Sequence, residues 1–245
     1  MNQYPRNPRA VLWLFAYQGL TVETHLSIVR ELLAWPNLSH HVKGGDANID
    51  RARSKVASWF LEQPEAETGR VLLMVDSDNA WERGGLGKIA KRALEHNAVV
   101  GGFYPKRAFG AGAALRLLGD TEGKYPLGVD DLVPCEFVGT GFIAIPRTVL
   151  KAVGERLPTV KGGFKPFFMP YVLPDPYQEE YPTDDQAFCA RVREAGFKVY
   201  ASTFPKVTHQ GDYTYRMVDS DVHPPADRDV TLTFTRPKEL QEVKS

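Results

Sequence analysis

Residues 71–78 read Val-Leu-Leu-Met-Val-Asp-Ser-Asp, five apolar residues followed at once by two carboxylates around a serine. An unbroken apolar run of this length is typical of a strand buried on both faces of a parallel sheet. Residues 11–16 form another such run, and residues 98–100 also have strand character. The chain therefore contains the central strands of an α/β sheet.

Amphipathic helices are indicated between these strands. Apolar side chains recur at helical spacing in residues 26–33, 49–60 and 86–95, and a short strand is expected at residues 41–43. Strands alternating with helices of this length predict an α/β fold with a mixed, mostly parallel central sheet flanked by helices. Ligands of such sheets bind beyond the carboxyl ends of the strands, so residues 16–19, 44–46 and 76–79 should lie together.

The second half of the chain is less regular. Residues 107–134 are glycine-rich, and residues 137–145 resemble one strand interrupted by a Gly-Thr-Gly bend before a helix that opens at Pro146. Residues 157–182 contain six prolines and six aromatic residues, which favours an ordered or closing loop. Its rings could stack on an acceptor, or they could fill a small core beneath the loop.

Composition excludes several functional classes. The 245 residues include 30 Lys plus Arg and 30 Asp plus Glu, so no overall field attracts nucleic acid or an anionic membrane. The apolar run at residues 10–17 is too short to cross a bilayer, and the amino end lacks a signal-peptide pattern. The two cysteines, Cys135 and Cys189, cannot form a disulfide framework. We therefore expect a soluble protein of the cytoplasm.

Asp76 and Asp78 are the first candidate site residues. Two carboxylates at the open end of a buried strand repel each other and lose hydration unless a positive charge lies between them. A divalent cation is a natural partner, because hard ions take oxygen ligands. The competing interpretation is a capped, solvated turn at the end of the strand.

Three later residues add to this candidate site. Asp184 and Asp185 open an amphipathic helix that carries Phe188 and Val192, and His209 precedes a glycine turn just after a strand. Aspartates at a helix amino end commonly serve only as caps, and lone histidines are commonly structural.

The order of these segments resembles the GT-A glycosyltransferases, a Rossmann-like family of nucleotide-diphospho-sugar transferases with an Asp-x-Asp motif. The resemblance extends from about residue 10 to residue 211. It rests on Asp76-Ser77-Asp78, on residues 138–142 (Val-Gly-Thr-Gly-Phe), on Asp184-Asp185 with the helix–glycine–strand after it, and on His209. It implies one domain over residues 1–222, with a donor half at about 1–105 and an acceptor half at about 106–222, and a carboxyl-terminal extension over 223–245.

The resemblance also implies roles for individual residues. Asp76, Asp78 and His209 would hold Mn²⁺ or Mg²⁺, and a mixed oxygen and imidazole shell suits manganese; Asp76 could instead bind the ribose or donor sugar. Asp185 would be the general base in an inverting enzyme, with Asp184 orienting or replacing it, whereas in a retaining enzyme Asp185 would bind sugar hydroxyls. The nucleotide-sugar donor, expected to be a UDP-sugar, would meet Ala16, Tyr17, Gln18, Asp46, Arg51, Arg53, Asp76, Ser77, Thr140 and Gly141.

The acceptor is left open by the sequence. Residues 101–107 (Gly-Gly-Phe-Tyr-Pro-Lys-Arg) resemble bacterial and bacteriophage enzymes, some of which glycosylate hydroxylated bases in phage DNA. Lys106, Arg107 and Arg116 could supply a local basic patch for DNA, and the cytoplasm would then be that of a bacterium or phage-infected host. A glycan, lipid-linked or protein acceptor is the alternative.

Three other interpretations compete with glycosyl transfer. One is nucleotidyl transfer to a sugar phosphate, although residues 15–20 lack the glycine-rich basic loop that holds a triphosphate. Another is a nucleotide-sugar-binding protein without catalysis. In the third, Asp76, Asp184 and His209 never converge, and the chain is a generic α/β protein.

Overall fold

The computed structural model describes residues 8–16, 19–107, 112–119, 123–126, 131–171, 182–211, 214–216 and 229–232. The strands are β1 (Ala10–Phe15), β2 (Leu38–Lys43), β3 (Val71–Asp76), β4 (Asn79–Trp81), β5 (Val99–Gly102), β6 (Leu115–Leu117), β7 (Gly123–Pro126), β8 (Leu132–Val138), β9 (Phe142–Pro146), β10 (Val199–Ser202), β11 (Val207–Gln210), β12 (Thr214–Tyr215) and β13 (Asp229–Leu232). The helices are α1 (Val22–Ala34), α2 (Ile49–Glu62), α3 (Glu65–Thr68), α4 (Gly85–His96), α5 (Arg147–Glu155) and α6 (Asp184–Glu194).

An eight-stranded sheet in the order β2-β1-β3-β9-β5-β10-β8-β6 forms the centre of the fold. The pairings make six of these strands run in one direction, whereas β8 and β9 run in the other. Strands β4, β11 and β12 form a small second sheet, and β7 pairs with β13. The α/β class with a mixed, mostly parallel sheet is therefore confirmed.

Two apolar layers cover the faces of the central sheet. Alternate residues of β1 point to opposite layers, so Val11 packs with α2, α5 and α6, whereas Leu12 packs with α1 and α4. Val71 to Val75 of β3 are all fully buried, because β3 lies between β1 and β9 and has helices on both faces. This is the burial that the apolar run predicts.

The interruption at the Gly-Thr-Gly segment of residues 137–145 is confirmed, but the residues on its two sides belong to separate strands rather than to one. The chain leaves β8 at Val138 and enters β9 at Phe142, and these two strands do not pair with each other. β9 instead inserts antiparallel between β3 and β5. The glycine-rich stretch at residues 107–134 contains β6, β7 and the start of β8, and β2 starts at Leu38 rather than residue 41.

Helix α1 forms where it was predicted, but several of its apolar side chains face solvent, whereas Ile28 is buried. Leu26, Val29 and Leu33 have exposed fractions of 44%, 37% and 82%. The spacing of apolar residues thus predicted the helix but not the side that packs on the protein.

The buried face of α1 is mostly polar, with Ile28 as the exception, because it packs on β4. Thr24 Oγ1 donates to the Asn79 carbonyl over 2.9 Å, and Ser27 Oγ donates to the Trp81 carbonyl over 3.2 Å. Glu31, one turn further along, accepts from Trp81 Nε1 over 3.1 Å. These side chains satisfy polar groups of β4 that water does not reach.

The aromatic stretch at residues 157–182 contributes to the core. Phe167 and Phe168 are fully buried, and Phe168 stacks on Phe188 of α6 with ring centroids 4.3 Å apart. These two rings cannot stack on an acceptor. Tyr177 lies outside the described residues.

The membrane-span and cysteine expectations can be compared with the structure. None of the helices described is long and apolar enough to span a bilayer. Cys135 and Cys189 are both buried and free thiols.

Candidate functional site

A cleft of about 370 Å³ lies at the carboxyl ends of β1, β2 and β3. Its lining combines apolar residues with charges of both signs: Phe15, Ala16, Lys43, Asp46, Ala47, Ile49, Ala52, Arg53, Asp76, Ser77, Asp78, Arg107 and Asp184. The three strand ends that the sequence placed together thus border one cleft, as expected for a sheet of this type.

Arg53 joins two of the predicted carboxylates. Its Nη2 donates to Asp76 Oδ1 over 2.6 Å, and its Nη1 donates to Asp184 Oδ2. Only 4% of the Arg53 side chain is exposed. Burial lowers the pKa of Arg53, but the two carboxylates outweigh burial and raise it overall. Asp76 and Asp184 therefore share one permanent positive charge at the floor of the cleft.

Asp184 and Asp185 begin α6 but have different surroundings. Asp184 lines the cleft, and its Oδ2 lies 3.5 Å from the Thr140 hydroxyl. Asp185 is not among the residues that line the cleft; it accepts from the hydroxyl of Thr183, the N-cap. Burial raises the pKa of Asp185, and the charge of Asp184 raises it further. Asp185 is thus a stronger base than an ordinary aspartate, whereas Asp184 is paired with Arg53.

Strand pairing brings His209 to Asp78. β11 pairs antiparallel with β4, and His209 lies opposite Asn79 in the register. The Gln210 amide extends this pairing by donating to the Asp78 carbonyl over 2.7 Å. His209 therefore lies within a strand rather than just after one, and its Nε2 is 3.6 Å from Asp78 Oδ1. Segments more than a hundred residues apart meet here.

The orientation of His209 leaves Nε2 as the ring nitrogen that can accept a hydrogen bond or act as a ligand. Nδ1 lies 3.0 Å from the Pro105 carbonyl, which can only accept, so Nδ1 carries the proton. The Tyr104 ring contacts the imidazole edge to face at 5.5 Å. In the neutral ring Nε2 then carries the lone pair and lies 3.6 Å from Asp78 Oδ1, and histidines held in this way by a carbonyl are common at metal sites.

These donors fit a divalent cation that takes its remaining ligands from a substrate. Asp78 Oδ1 is buried without a hydrogen-bond partner and lies beside the lone pair of His209 Nε2. In the part of the chain that the structure describes, no three His, Cys, Asp or Glu side chains form a metal-binding group. Asp76 is engaged by Arg53 instead. One or two protein ligands completed by substrate phosphates are typical of Mg²⁺ sites, and the imidazole suits Mn²⁺.

The sequence did not predict that Arg107 contacts Asp78 and His209. Its Nη2 lies 2.6 Å from Asp78 Oδ2, and its Nε donates to His209 Nε2 over 2.9 Å. The sequence suggested only a basic patch, because nothing near residue 107 indicates a partner 102 residues away.

The Gly-Thr-Gly segment is shaped by Tyr104. The buried Tyr104 hydroxyl accepts from the Gly141 amide over 3.0 Å. A Cβ on Gly139 would lie 2.1 Å from this hydroxyl, and a Cβ on Gly141 would lie 2.7 Å from Asn79 Oδ1. Both glycines are required here because another side chain approaches the backbone closely. Thr140 and Gly141 are thereby held beside the carboxylates.

The β2 side of the cleft holds Asp46 and its cations. Arg51 Nη2 lies 2.5 Å and Lys55 Nζ 3.4 Å from Asp46. The hydrogen bond from Arg51 holds the pKa of Asp46 well below its usual range. Arg51 itself is not among the cleft-lining residues, whereas Ala16 and Ser77 are. Tyr17 and Gln18 lie outside the described residues.

Comparison with known proteins supports the fold. The chain is similar to A197 from STIV, with a TM-score of 0.59 and 15% identity over 94% of this chain and 97% of that chain. It is also similar to GalNAc-T7, whose crystal structure contains UDP, GalNAc and Mn²⁺, with a TM-score of 0.52 and 12% identity over 84% of this chain. That match spans 44% of the GalNAc-T7 chain. No protein-family model and no curated protein matches the sequence.

The fold and the position of the cleft together define the structural class of the protein. The chain has a GT-A-like Rossmann fold, the architecture expected from the sequence resemblance. Its acidic residues, histidine and arginines meet at the ligand-binding edge of the sheet. The interpretation in which Asp76, Asp184 and His209 never converge is wrong, because Arg53 joins the first two and Asp78 lies beside the third.

Proposed function

We propose that this protein is a metal-dependent glycosyltransferase that moves a sugar from a nucleotide-diphosphate sugar, a UDP-sugar in the first instance, to an acceptor hydroxyl. The observation that carries the proposal is the cleft lined by Asp78 and by the Arg53-bridged carboxylates, with His209 3.6 Å from Asp78. Residues 1–222 would form the catalytic domain, divided at about residue 105 into donor and acceptor halves, with 223–245 as an extension, in the cytoplasm.

The charge pattern of the cleft suits a nucleoside diphosphate. Lys43, Arg53 and Arg107 line it together with the carboxylates. A cation held by Asp78 and His209 would neutralise the charge that develops on the departing diphosphate. Asp46, next to the ends of β1 and β2, would accept from the nucleoside. Asp76 would accept from hydroxyls of the ribose or donor sugar through the oxygen that Arg53 leaves free.

Asp185 is the proposed general base. Its raised pKa makes it a stronger base than an ordinary aspartate, and a base must remove the acceptor proton during attack. Asp184 is already paired with Arg53, so it would orient the acceptor or donor sugar rather than take the acceptor proton. In a retaining enzyme Asp185 would bind sugar hydroxyls instead.

A hydroxylated base in phage DNA is one acceptor we propose to test. Two of the three cations of the suggested basic patch already have acidic partners: Arg107 pairs with Asp78, and Arg116 lies 3.7 Å from Glu136. These pairs weaken the case for DNA, because neutralised cations contribute little to phosphate binding. Glycans, lipid-linked sugars and proteins with free hydroxyls should be tested as acceptors in the same assay.

Titration calorimetry tests the donor half of the proposal. We expect UDP to bind with Mn²⁺ present and to bind at least tenfold more weakly to Asp78→Asn, because that change removes a ligand charge. Glu155→Gln, which changes an exposed carboxylate at the end of α5, is the matched control. Equal UDP affinity in the wild type and Asp78→Asn would contradict the assignment.

Substrate panels separate the enzyme classes. A glycosyltransferase should release UDP from a UDP-sugar, slowly with water and faster with the acceptor. A nucleotidyltransferase should instead release pyrophosphate from a nucleoside triphosphate and a sugar phosphate. A binding protein without catalysis should do neither while still binding the nucleotide sugar.

A further inference from the structure

The geometry points to Arg107 as a built-in competitor of the cation. We infer that in the free protein the Arg107 guanidinium occupies the place of a divalent cation between Asp78 and His209, and that it moves to the donor diphosphate when cation and donor bind. This inference rests on the proposed function, because it assigns the cation to these two residues.

The contacts of Arg107 are those that a cation would replace. Its Nη2 binds Asp78 Oδ2 at 2.6 Å, and its Nε donates into the lone pair of His209 Nε2 at 2.9 Å. The proton on Nδ1 faces Pro105, so Nε2 has a single lone pair to offer. A guanidinium N–H and a metal ion cannot use that lone pair at the same time. Arg107 and the cation are therefore mutually exclusive at His209.

The structure also shows which partner can leave. The Arg107 side chain is 55% exposed, whereas the side chains of Asp78 and His209 are 16% and 13% exposed. Arg53, the other arginine of the cleft, is 4% exposed and tied to two carboxylates. Displacing Arg107 returns a long, flexible side chain to water, while Asp78 and His209 keep their places.

Charge balance favours a new position for Arg107 on the diphosphate. Once Asp78 is bound to a cation, it no longer attracts the guanidinium as strongly. A donor diphosphate adds negative charge in the same cleft, and the planar guanidinium can donate two parallel hydrogen bonds to phosphate oxygens. Arg107 would thus oppose the cation alone but support the cation together with the donor.

The proposed role of Arg107 predicts opposite changes in the affinities for Mn²⁺ and for UDP, and both can be measured. For Arg107→Ala we expect Mn²⁺ to bind the free protein about threefold to fivefold more tightly, because an ion pair that competes with it is lost. Electron paramagnetic resonance of unbound Mn²⁺ measures this affinity without donor or turnover. At saturating Mn²⁺ the same variant should bind UDP about tenfold more weakly, because a charged phosphate contact is lost. A purely structural role would not give opposite signs.

Control variants make the result specific. Lys106→Ala removes the neighbouring exposed charge and should leave both affinities unchanged. Arg107→Lys keeps the charge without the planar fork and should give Mn²⁺ affinity between those of the wild type and Arg107→Ala. Circular dichroism melting verifies that each variant folds.

The outcomes separate the two proposals. If Asp78→Asn loses Mn²⁺ binding while Arg107→Ala binds Mn²⁺ as the wild type does, the competitor role is overturned and the metal site stands. If Asp78→Asn binds Mn²⁺ as tightly as the wild type, both the metal assignment and the competitor role fall. Weaker Mn²⁺ binding by Arg107→Ala would also overturn the inference.

Discussion

Arg53, in the second turn of α2, donates to Asp76 at the end of β3 over 2.6 Å. The same guanidinium donates to Asp184 at the start of α6. A buried ion pair contributes little stability in itself, but breaking it leaves charges without partners. Arg53 therefore holds the donor half and the acceptor half of the proposed site at a defined separation.

Replacing Arg53 should destabilise the protein strongly. Arg53→Ala leaves Asp76 and Asp184 without their shared cation, and we expect a loss of about 3–5 kcal/mol in the free energy of unfolding. Arg51→Ala is the control two residues earlier, where the side chain is 50% exposed, and it should cost much less than Arg53→Ala. Urea denaturation measures both. Equal losses would show that the buried bridge has no special role.

Removing the proposed base should reduce the rate but not donor binding. Asp185→Asn should lower transfer about 10²–10⁴-fold while UDP-sugar affinity stays within about twofold, because Asp185 does not line the donor cleft. Wild-type activity should rise with pH through the raised pKa of Asp185 and then level, since the base must be deprotonated. A wild-type rate in Asp185→Asn would reject this role.

A methyl group at Gly141 should disturb the acidic site. Its Cβ would lie 2.7 Å from Asn79 Oδ1 and 2.9 Å from Asp76 Oδ2, so we expect Gly141→Ala to cost about 1–3 kcal/mol and to weaken UDP binding. Gly44→Ala is the matched control, because its Cβ would meet only the Ala16 carbonyl at 3.4 Å. Thermal melting and calorimetry measure the two effects. Similar behaviour of both variants would contradict the packing argument.

The buried carboxyl of Glu31 should make stability depend on pH. Burial raises its pKa in the folded protein, so the native state binds the proton more tightly than the unfolded chain. The stability it contributes is present below the unfolded pKa and is lost as pH rises through the folded pKa. Glu31→Gln keeps the carbonyl that Trp81 and Leu86 need and removes this loss.

The stability of Glu31→Gln relative to the wild type should therefore increase as the pH rises above the ordinary carboxyl pKa and through the raised pKa of Glu31. Guanidinium denaturation at several pH values measures this difference. Glu23→Gln, on the exposed face of the same helix, should show no such trend. A constant difference for Glu31→Gln across the range would mean that Glu31 does not govern the pH dependence.

Removing divalent cations should abolish transfer. We expect a chelator to stop both UDP-sugar hydrolysis and transfer, and added Mn²⁺ to restore them, because Asp78 and His209 would lack the ion that neutralises the diphosphate. Magnesium in the same assay shows which ion is used. Full activity after chelation would contradict the metal role.

The sequence was sufficient for the elements whose pattern is local. The apolar run of β3 predicts a strand buried on both faces, and it is buried on both faces. Asp76, Asp78 and Asp184 could be selected because each directly follows or opens a strongly patterned element. By contrast, α1 reverses the usual rule: its polar residues satisfy the backbone of β4, a three-residue strand with no sequence pattern of its own.

The sequence by itself determined strands β1 and β3, the ligand-binding edge at their carboxyl ends and the acidic residues there, since these follow from apolar runs and from where each run stops. Only the tertiary structure decided how the charges pair. Asp76 binds Arg53, and Asp78 meets His209 and Arg107, because strand insertion and the β4–β11 register bring distant segments together. Electrostatic partners depend on distances of a few ångströms across the fold, and no local pattern contains that information.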